Sequence, residues 1–234
     1  MVHDNLLYVA NLGDCKAKLF RKQERLNNSD ELEETYIPIK LSITFNASKL
    51  YEQQRLREKF KDPDIVVDKG VACYVKGRLQ PTRSLGDFYM KYKEFNNPPL
   101  NVEERFFRRV IDNFNGPYIE SVPDIQVFEL CEEDEFLVLA TDGLWDWLNS
   151  YDAAEIISRH RDDKSLIAGA LCNEALARAA SKANLDIEQV REMPRSVKRS
   201  IHDDISILVV DLKNQVTYKN SANSNSPSNK TKHI

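Results

Sequence analysis

The segment FLVLATDGLWDWLN, residues 136–149, constrains the fold more than any other part of the chain. Its opening run FLVLA is uncharged, which predicts a strand inside the core rather than on the surface. Gly143 follows and allows the backbone to turn sharply, with Asp142 and Asp146 on either side of it. A buried strand that delivers two carboxylates to a turn has two explanations, a helix cap in solvent or a metal site.

A second apolar run near the C-terminus completes this pattern. HDDISILVVDL, residues 202–212, predicts a strand that begins just after Asp203 and Asp204. If this strand pairs antiparallel with the first, Asp142 and Asp203 lie at the same sheet edge. Carboxylate oxygens suit Mg²⁺ or Mn²⁺, and a cation would offset their mutual repulsion. The residues alone leave both explanations open, since Asp is a common N-cap and Asp-Gly a common turn.

Composition limits the remaining classes of function. The chain has 234 residues, of which 41% are hydrophobic, and this predicts one main domain, residues 1–213. A net charge of −4 disfavours nucleic acid and anionic lipid as partners. The four cysteines have no zinc-site spacing, and no apolar run reaches the roughly 18 residues of a membrane span. We expect an intracellular protein, cytoplasmic rather than in the mitochondrial matrix.

The order of local patterns predicts a mixed fold. LLYVA and AKLF flank NLGDCK, which is typical of a β-hairpin. SKLYEQQRLREKF, residues 152–159 and residues 164–183 have helical periodicity. A surface insertion is expected at about residues 91–120. The Asn-, Ser- and Lys-rich residues 214–234 predict a disordered tail.

Four segments, in this order, carry a family resemblance: ANLGDCKAKL, LQPTRSLGDFYMK, FLVLATDGLWD and DDISILVV. They resemble motifs of the metal-dependent protein serine/threonine phosphatases, the type 2C or PPM class. The stretches KGRLQPTRSLGD and PYIESVPDIQVFEL are similar to the pyruvate dehydrogenase phosphatase-like branch. The resemblance implies an α+β fold, with two antiparallel sheets stacked as a β-sandwich and flanked by helices. It also implies two core Mg²⁺ or Mn²⁺ ions and a phosphoprotein substrate, whose phosphoserine or phosphothreonine is hydrolysed by metal-activated water.

The resemblance also assigns metal ligands. Asp142 and Asp203 match the family ligands of one core metal, and no catalytic residue is assigned beyond such ligands. Asp146 matches the carboxylate that helps to hold a third metal. The other third-site ligand belongs to a family stretch close to T-x-D-H-N. SITFNAS stands in its place, with neither the Asp nor the His, so the third site is expected to be incomplete.

Two further segments are expected to have structural roles. Arg83, Gly86 and Asp87 match the family signature, and we interpret them as an Arg–Asp pair and a turn glycine that position a loop. Trp145 and Trp147 favour core packing over substrate stacking.

The family's opening strands have no counterpart here. They carry a Glu-Asp pair, an Arg that holds the substrate phosphate and an Asp-Gly-His segment that bridges the metals. Asp142-Gly143 is the only Asp-Gly in this chain, and no Asp-Gly-His occurs. We therefore expect the fold to be N-terminally incomplete, the C-terminal portion of a longer phosphatase that has little activity alone. The alternative is an inactive pseudophosphatase that acts as a binding module.

Overall fold

The computed structural model describes residues 1–26, 30–96, 110–213 and 232–233. The chain forms two compact units. The first comprises Met1–Ala10, Cys15–Ser42 and Ile125–Ile234, and the second comprises Asn11–Asp14 and Ile43–Asp124. Residues 97–109 of the expected insertion, and residues 214–231 and 234 of the expected tail, lie outside the described residues. The boundary at residue 213 therefore stays a prediction.

The described residues contain both strands and helices. The strands are β1 (Val2–His3), β2 (Leu6–Asn11), β3 (Lys16–Leu26), β4 (Leu32–Lys40), β5 (Val66–Asp68), β6 (Cys73–Val75), β7 (Asp124–Glu129), β8 (Asp134–Ala140), β9 (Ile207–Asp211) and β10 (Lys232–His233). The α-helices are α1 (Leu50–Phe60), α2 (Asp142–Trp145), α3 (Ser150–Arg159), α4 (Ile167–Lys182), α5 (Ile187–Glu192) and α6 (Arg195–Lys198). Short 3-10 helices cover Pro63–Ile65, Phe88–Met90, Lys93–Phe95 and Lys164–Leu166. None of the described helices is long and apolar enough to cross a membrane.

Two four-stranded sheets form the first unit, in the orders β1-β2-β7-β10 and β4-β3-β8-β9. In the second of these sheets, β3 pairs antiparallel with β4 and β8, and β8 pairs antiparallel with β9. One apolar cluster joins the two sheets through Leu7 of β2, Leu19 of β3 and Leu137 of β8. This arrangement confirms the predicted α+β sandwich.

A second apolar cluster covers the other face of the β4-β3-β8-β9 sheet. Phe136 and Val138 of β8 pack there with residues of helices α2, α3 and α4. Successive residues of a strand point to opposite faces, so β8 contributes to both clusters and is buried on both sides. This double burial is the physical reason for its uninterrupted apolar sequence.

The predicted hairpin of β2 and β3 is wrong. Both strands exist, but β2 lies in one sheet and β3 in the other. Leu7 and Leu19 pack in the same apolar cluster between the two sheets. Between the strands, Gly13 has a φ of +75°, and its carbonyl accepts a 2.8 Å hydrogen bond from Phe45 N. The link crosses from one sheet to the other through a turn at Gly13 and Asp14.

The three predicted helices are confirmed with shifted starts, since α1 begins at Leu50, α3 at Ser150 and α4 at Ile167. Helix α3 begins at Ser150, two residues before the predicted start at Asp152, because Asn149 caps it. The Asn149 carboxamide accepts hydrogen bonds from Tyr151 N and Asp152 N at 2.8 and 3.0 Å. The Asp152 carboxylate in turn accepts from Asn149 N, which completes a capping box.

The second unit has its own core. Leu56 of α1, Ile65, Val75 of β6 and Tyr118 are buried together in it. Helix α1 covers Leu50–Phe60 of the predicted segment SKLYEQQRLREKF, and β5 pairs antiparallel with β6. Of the predicted apolar positions of α1, Leu56 is buried in this core and Phe60 packs against it, whereas Leu50 is exposed.

Candidate metal centre

The ends of β8 and β9 meet at one sheet edge. Their antiparallel register runs from Phe136↔Asp211 to Ala140↔Ile207. The end of β8 therefore lies beside the start of β9, as the strand-end aspartates predict. This pairing brings the chain around Asp142 next to the segment that precedes Ile207.

Thr141 locks the two strand ends together beyond the last ladder pair. Its amide donates to Ser206 O at 3.1 Å, and its hydroxyl donates to Asp204 O at 2.9 Å. The same hydroxyl oxygen accepts a 3.0 Å hydrogen bond from Ser206 N. Thr141 thus connects the end of β8 to the segment before β9 through both its amide and its hydroxyl group.

Because Gly143 has no side chain, the backbone of Asp203 and Asp204 approaches it more closely than it could approach any other residue. A Cβ at this position would lie 2.5 Å from Asp204 O and 3.2 Å from Asp203 O. Gly143 does not have a positive φ, so the reason for glycine is the approach of the two backbones and not a left-handed turn. The sequence expectation of a turn glycine is corrected accordingly.

Asp142 is the first residue of α2 and is half-buried. Its Oδ1 accepts a 2.9 Å hydrogen bond from Gly143 N. The N-cap position belongs to Thr141, whose side chain makes no capping hydrogen bond. Asp146 is the exposed C-cap residue of α2, and its amide donates to Asp142 O at 2.8 Å.

Asp203 and Asp204 lie on the opposite side of this junction. Asp203 Oδ1 accepts a 2.7 Å hydrogen bond from Asp204 N, and its side chain is 48% exposed. Asp204 is more exposed, at 61%. The ring nitrogen Nδ1 of His202 lies 2.7 Å from Asp203 O, so this histidine contacts the backbone of the predicted ligand.

The chemistry of these side chains fits one part of a divalent-cation site. Asp142 and Asp203 offer the hard oxygen donors that Mg²⁺ and Mn²⁺ prefer. Across residues 1–26, 30–96 and 110–213, however, no group of three or more His, Cys, Asp or Glu side chains could hold a metal ion. The described part of the chain therefore supplies some donors of a coordination shell and not a whole one, and the ligand roles of Asp142, Asp203 and Asp146 stay predictions.

Lys18 of β3 is buried and contacts α2 and α3, a role that no local sequence pattern indicates. The Lys18 ammonium lies 3.8 Å from the Trp145 ring centroid and donates to Ser150 Oγ at 2.5 Å. Burial, with smaller effects of Lys16 and Lys40, lowers the pKa of Lys18 to about 8. Trp145 is 7% exposed and donates from Nε1 to Ala140 O at 3.2 Å, so its predicted role in core packing is confirmed.

The predicted pair of Arg83 and Asp87 is wrong. Arg83 donates to Val122 O at 2.9 Å, and its guanidinium stacks on the Phe45 ring at 3.9 Å. Asp87 instead accepts a 2.7 Å hydrogen bond from Ser84 Oγ. Gly86 has a φ of +75°, which confirms the expected turn glycine.

Sequence comparisons identify relatives of this chain. The family model described as protein phosphatase 2C matches residues 1–184. "Probable protein phosphatase 2C 67" of Arabidopsis thaliana is 34% identical over 213 residues, 91% of this chain and 54% of that protein. "Probable protein phosphatase 2C 48" of Arabidopsis thaliana is 36% identical, covering 91% of this chain and 52% of that protein. The chain spans about half the length of these curated relatives.

Solved structures show the same fold at low sequence identity. The "serine-threonine phosphatase 2C from Toxoplasma gondii" aligns over 89% of this chain and 55% of its own, with a TM-score of 0.52 and 16% identity. A C. elegans sex determining protein aligns over 89% of this chain and 37% of its own, with a TM-score of 0.54 and 17% identity. These likenesses concern the fold, whereas the match of the family model covers most of the chain. The chain belongs to the protein phosphatase 2C family.

Proposed function

We propose that the full-length protein containing this chain hydrolyses phosphoserine and phosphothreonine in phosphoproteins, using two Mg²⁺ or Mn²⁺ ions. The observation that carries this proposal is the junction of β8 and β9, where Thr141 and Gly143 hold Asp142 beside Asp203 and Asp204 in a protein phosphatase 2C chain. A hard cation is the partner that this carboxylate arrangement favours.

The residues of this chain have a defined part in that reaction. Asp142 and Asp203 would hold one core metal, with their backbones fixed by Thr141 and Gly143. When bound, the metals supply an activated water and neutralise charge on the phosphoryl oxygens. The remaining ligands would come from residues outside the described ranges, since the described residues provide no group of three or more.

Finer assignments belong to the same proposal. We place the protein in the pyruvate dehydrogenase phosphatase-like branch on the stretches KGRLQPTRSLGD and PYIESVPDIQVFEL. We also propose a cytoplasmic location. Its support is that none of the four cysteines, all of which lie in the described residues, forms a disulfide, as is usual in reducing compartments. Nothing in the comparisons or the described residues favours the alternative of an inactive binding module.

The test is the substitution Asp142→Asn in the full-length protein. It keeps the size of the side chain but removes the charge that a divalent cation requires. We expect turnover of a phosphothreonine peptide in Mn²⁺ to fall more than about 100-fold. The matched control is Asp162→Asn, which changes an exposed aspartate far along the chain from the junction and should leave turnover unchanged.

Unchanged turnover in the Asp142 variant would reject the ligand assignment. Absence of turnover in the wild-type full-length protein, with both the peptide and an aryl phosphate, would reject the enzymatic proposal and favour the binding module.

A further inference from the structure

Two arginines cover the acidic pair Asp203–Asp204. Arg199 Nη2 lies 3.5 Å from Asp203 Oδ1, and Arg195 Nη2 lies 3.3 Å from Asp204 Oδ2. Both arginine side chains are largely exposed, at 66% and 85%. They belong to α6 and its C-cap, four residues apart, and therefore lie on the same side of this short helix.

The other cations of this segment have structural partners elsewhere. Lys198 Nζ donates to Arg191 O at 2.6 Å. Arg191 donates to Glu188 and to Asn173 Oδ1, both at 2.7 Å. These contacts hold α6 and α5 in place. Arg195 and Arg199 differ from them because their side-chain partners are the candidate metal ligand and its neighbour.

The two arginines also keep donors for a ligand. Each guanidinium reaches its aspartate through one nitrogen, and its side chain is largely exposed. Ion pairs as exposed as these contribute little to stability, so exchanging them for contacts to another carboxylate costs little. Two exposed guanidinium groups therefore lie beside the candidate metal ligand Asp203 and its neighbour. Guanidinium groups bind carboxylates in a two-pronged geometry.

We infer that Arg195 and Arg199 select substrates in which acidic residues flank the phosphorylated serine or threonine. This inference rests on the proposed function and names its substrate class. The two arginines contact the flanking carboxylates, while the phosphoryl group occupies the metal centre. The contact contributes to substrate binding, so its loss should raise KM more than it lowers kcat.

The experiment compares two peptides and three variants of the full-length protein. One phosphothreonine peptide has Asp and Glu around the phosphorylated residue, and the other has Ala at those positions. We expect Arg195→Gln/Arg199→Gln to lower the ratio of kcat/KM for the acidic over the neutral peptide by about fivefold. Arg195→Lys/Arg199→Lys should retain part of the preference, because it keeps the charge and loses the planar fork. The matched control, Arg159→Gln, removes an exposed arginine that pairs with Glu155 in α3 and should leave the ratio unchanged.

Two readouts do not depend on turnover. The acidic peptide with a non-hydrolysable phosphonate should bind the double Gln variant more weakly in fluorescence anisotropy, while the neutral peptide binds both proteins equally. In calorimetry, the same variant should bind Mn²⁺ severalfold more tightly, because two competing positive charges are gone.

The outcomes separate the inference from the proposed function. If the wild type hydrolyses an aryl phosphate but the peptide ratio is the same in the double Gln variant, the inference is overturned and the phosphatase stands. If the wild type hydrolyses neither substrate, the proposed function fails. Anisotropy then decides the inference, and equal binding of the acidic peptide to both proteins would overturn it.

Discussion

At the scale of single residues, the most buried charge of the first unit is Asp134, whose side chain has no exposed surface. Arg21 donates to it twice, from Nε at 2.8 Å and from Nη2 at 3.1 Å. The hydrogen bond from Arg21 to Asp134 raises the pKa of Arg21, so the guanidinium stays charged. Cys131 N adds a 3.0 Å hydrogen bond to the same carboxylate. This network closes the turn between β7 and β8.

Removing the arginine should be costly. Arg21→Leu leaves the Asp134 carboxylate buried without its counter-charge, and we expect the free energy of unfolding to fall by about 3 kcal/mol. The measurement is urea unfolding of the full-length protein. Arg159→Leu is the matched control, because Arg159 pairs with the exposed Glu155 and its loss should change stability by less than about 0.5 kcal/mol. Equal losses of unfolding free energy in the two variants would show that burial does not determine how much an ion pair stabilises the protein.

At the scale of secondary-structure elements, the junction of β8 and α2 depends on contact between backbones. Gly143 lies against the carbonyl groups of Asp203 and Asp204, whereas a Cβ added at Gly169 in α4 would enter open space. The two glycines therefore form a natural pair for one substitution. In each case the change adds one methyl group.

Gly143→Ala should weaken metal binding, whereas Gly169→Ala should raise the free energy of unfolding. The first forces the start of β9 away from α2, and we expect it to weaken Mn²⁺ binding by the full-length protein at least about tenfold. The second should stabilise the protein by about 1 kcal/mol, since alanine is the better helix former. Calorimetric titration and urea unfolding measure the two effects. Normal Mn²⁺ affinity in the Gly143 variant would mean that the close approach does not position the ligands.

The sequence predicts where the strands lie along the chain better than it predicts which strands pair with one another. The pairing of β8 with β9 follows from apolar runs that end or begin at aspartates, and it is confirmed. The β2–β3 hairpin is wrong because local patterns locate strands but do not say which sheet a strand enters. The role of Gly143 and the burial of Lys18 depend on residues distant in sequence, so no local signal marks them.

At the scale of the whole molecule, the described residues hold only part of the donors that a metal centre requires. We therefore expect the isolated 234-residue chain to bind Mn²⁺ at least about tenfold more weakly than the full-length protein and to hydrolyse an aryl phosphate poorly. Calorimetry and a turnover assay measure this, with circular dichroism as the check on folding. Robust turnover by the folded, isolated chain would mean that its own residues suffice for the centre.

Strand β8 belongs to both apolar clusters of the first unit, with Phe136 and Val138 on one side and Leu137 on the other. It ends two residues before Asp142, the first residue of α2. A cavity opened in either cluster therefore displaces the same strand. Substitutions in either cluster should consequently weaken metal binding, even though the substituted residues are not ligands themselves. Substitutions on the helix-facing side and on the sheet-facing side of β8 should have the same effect.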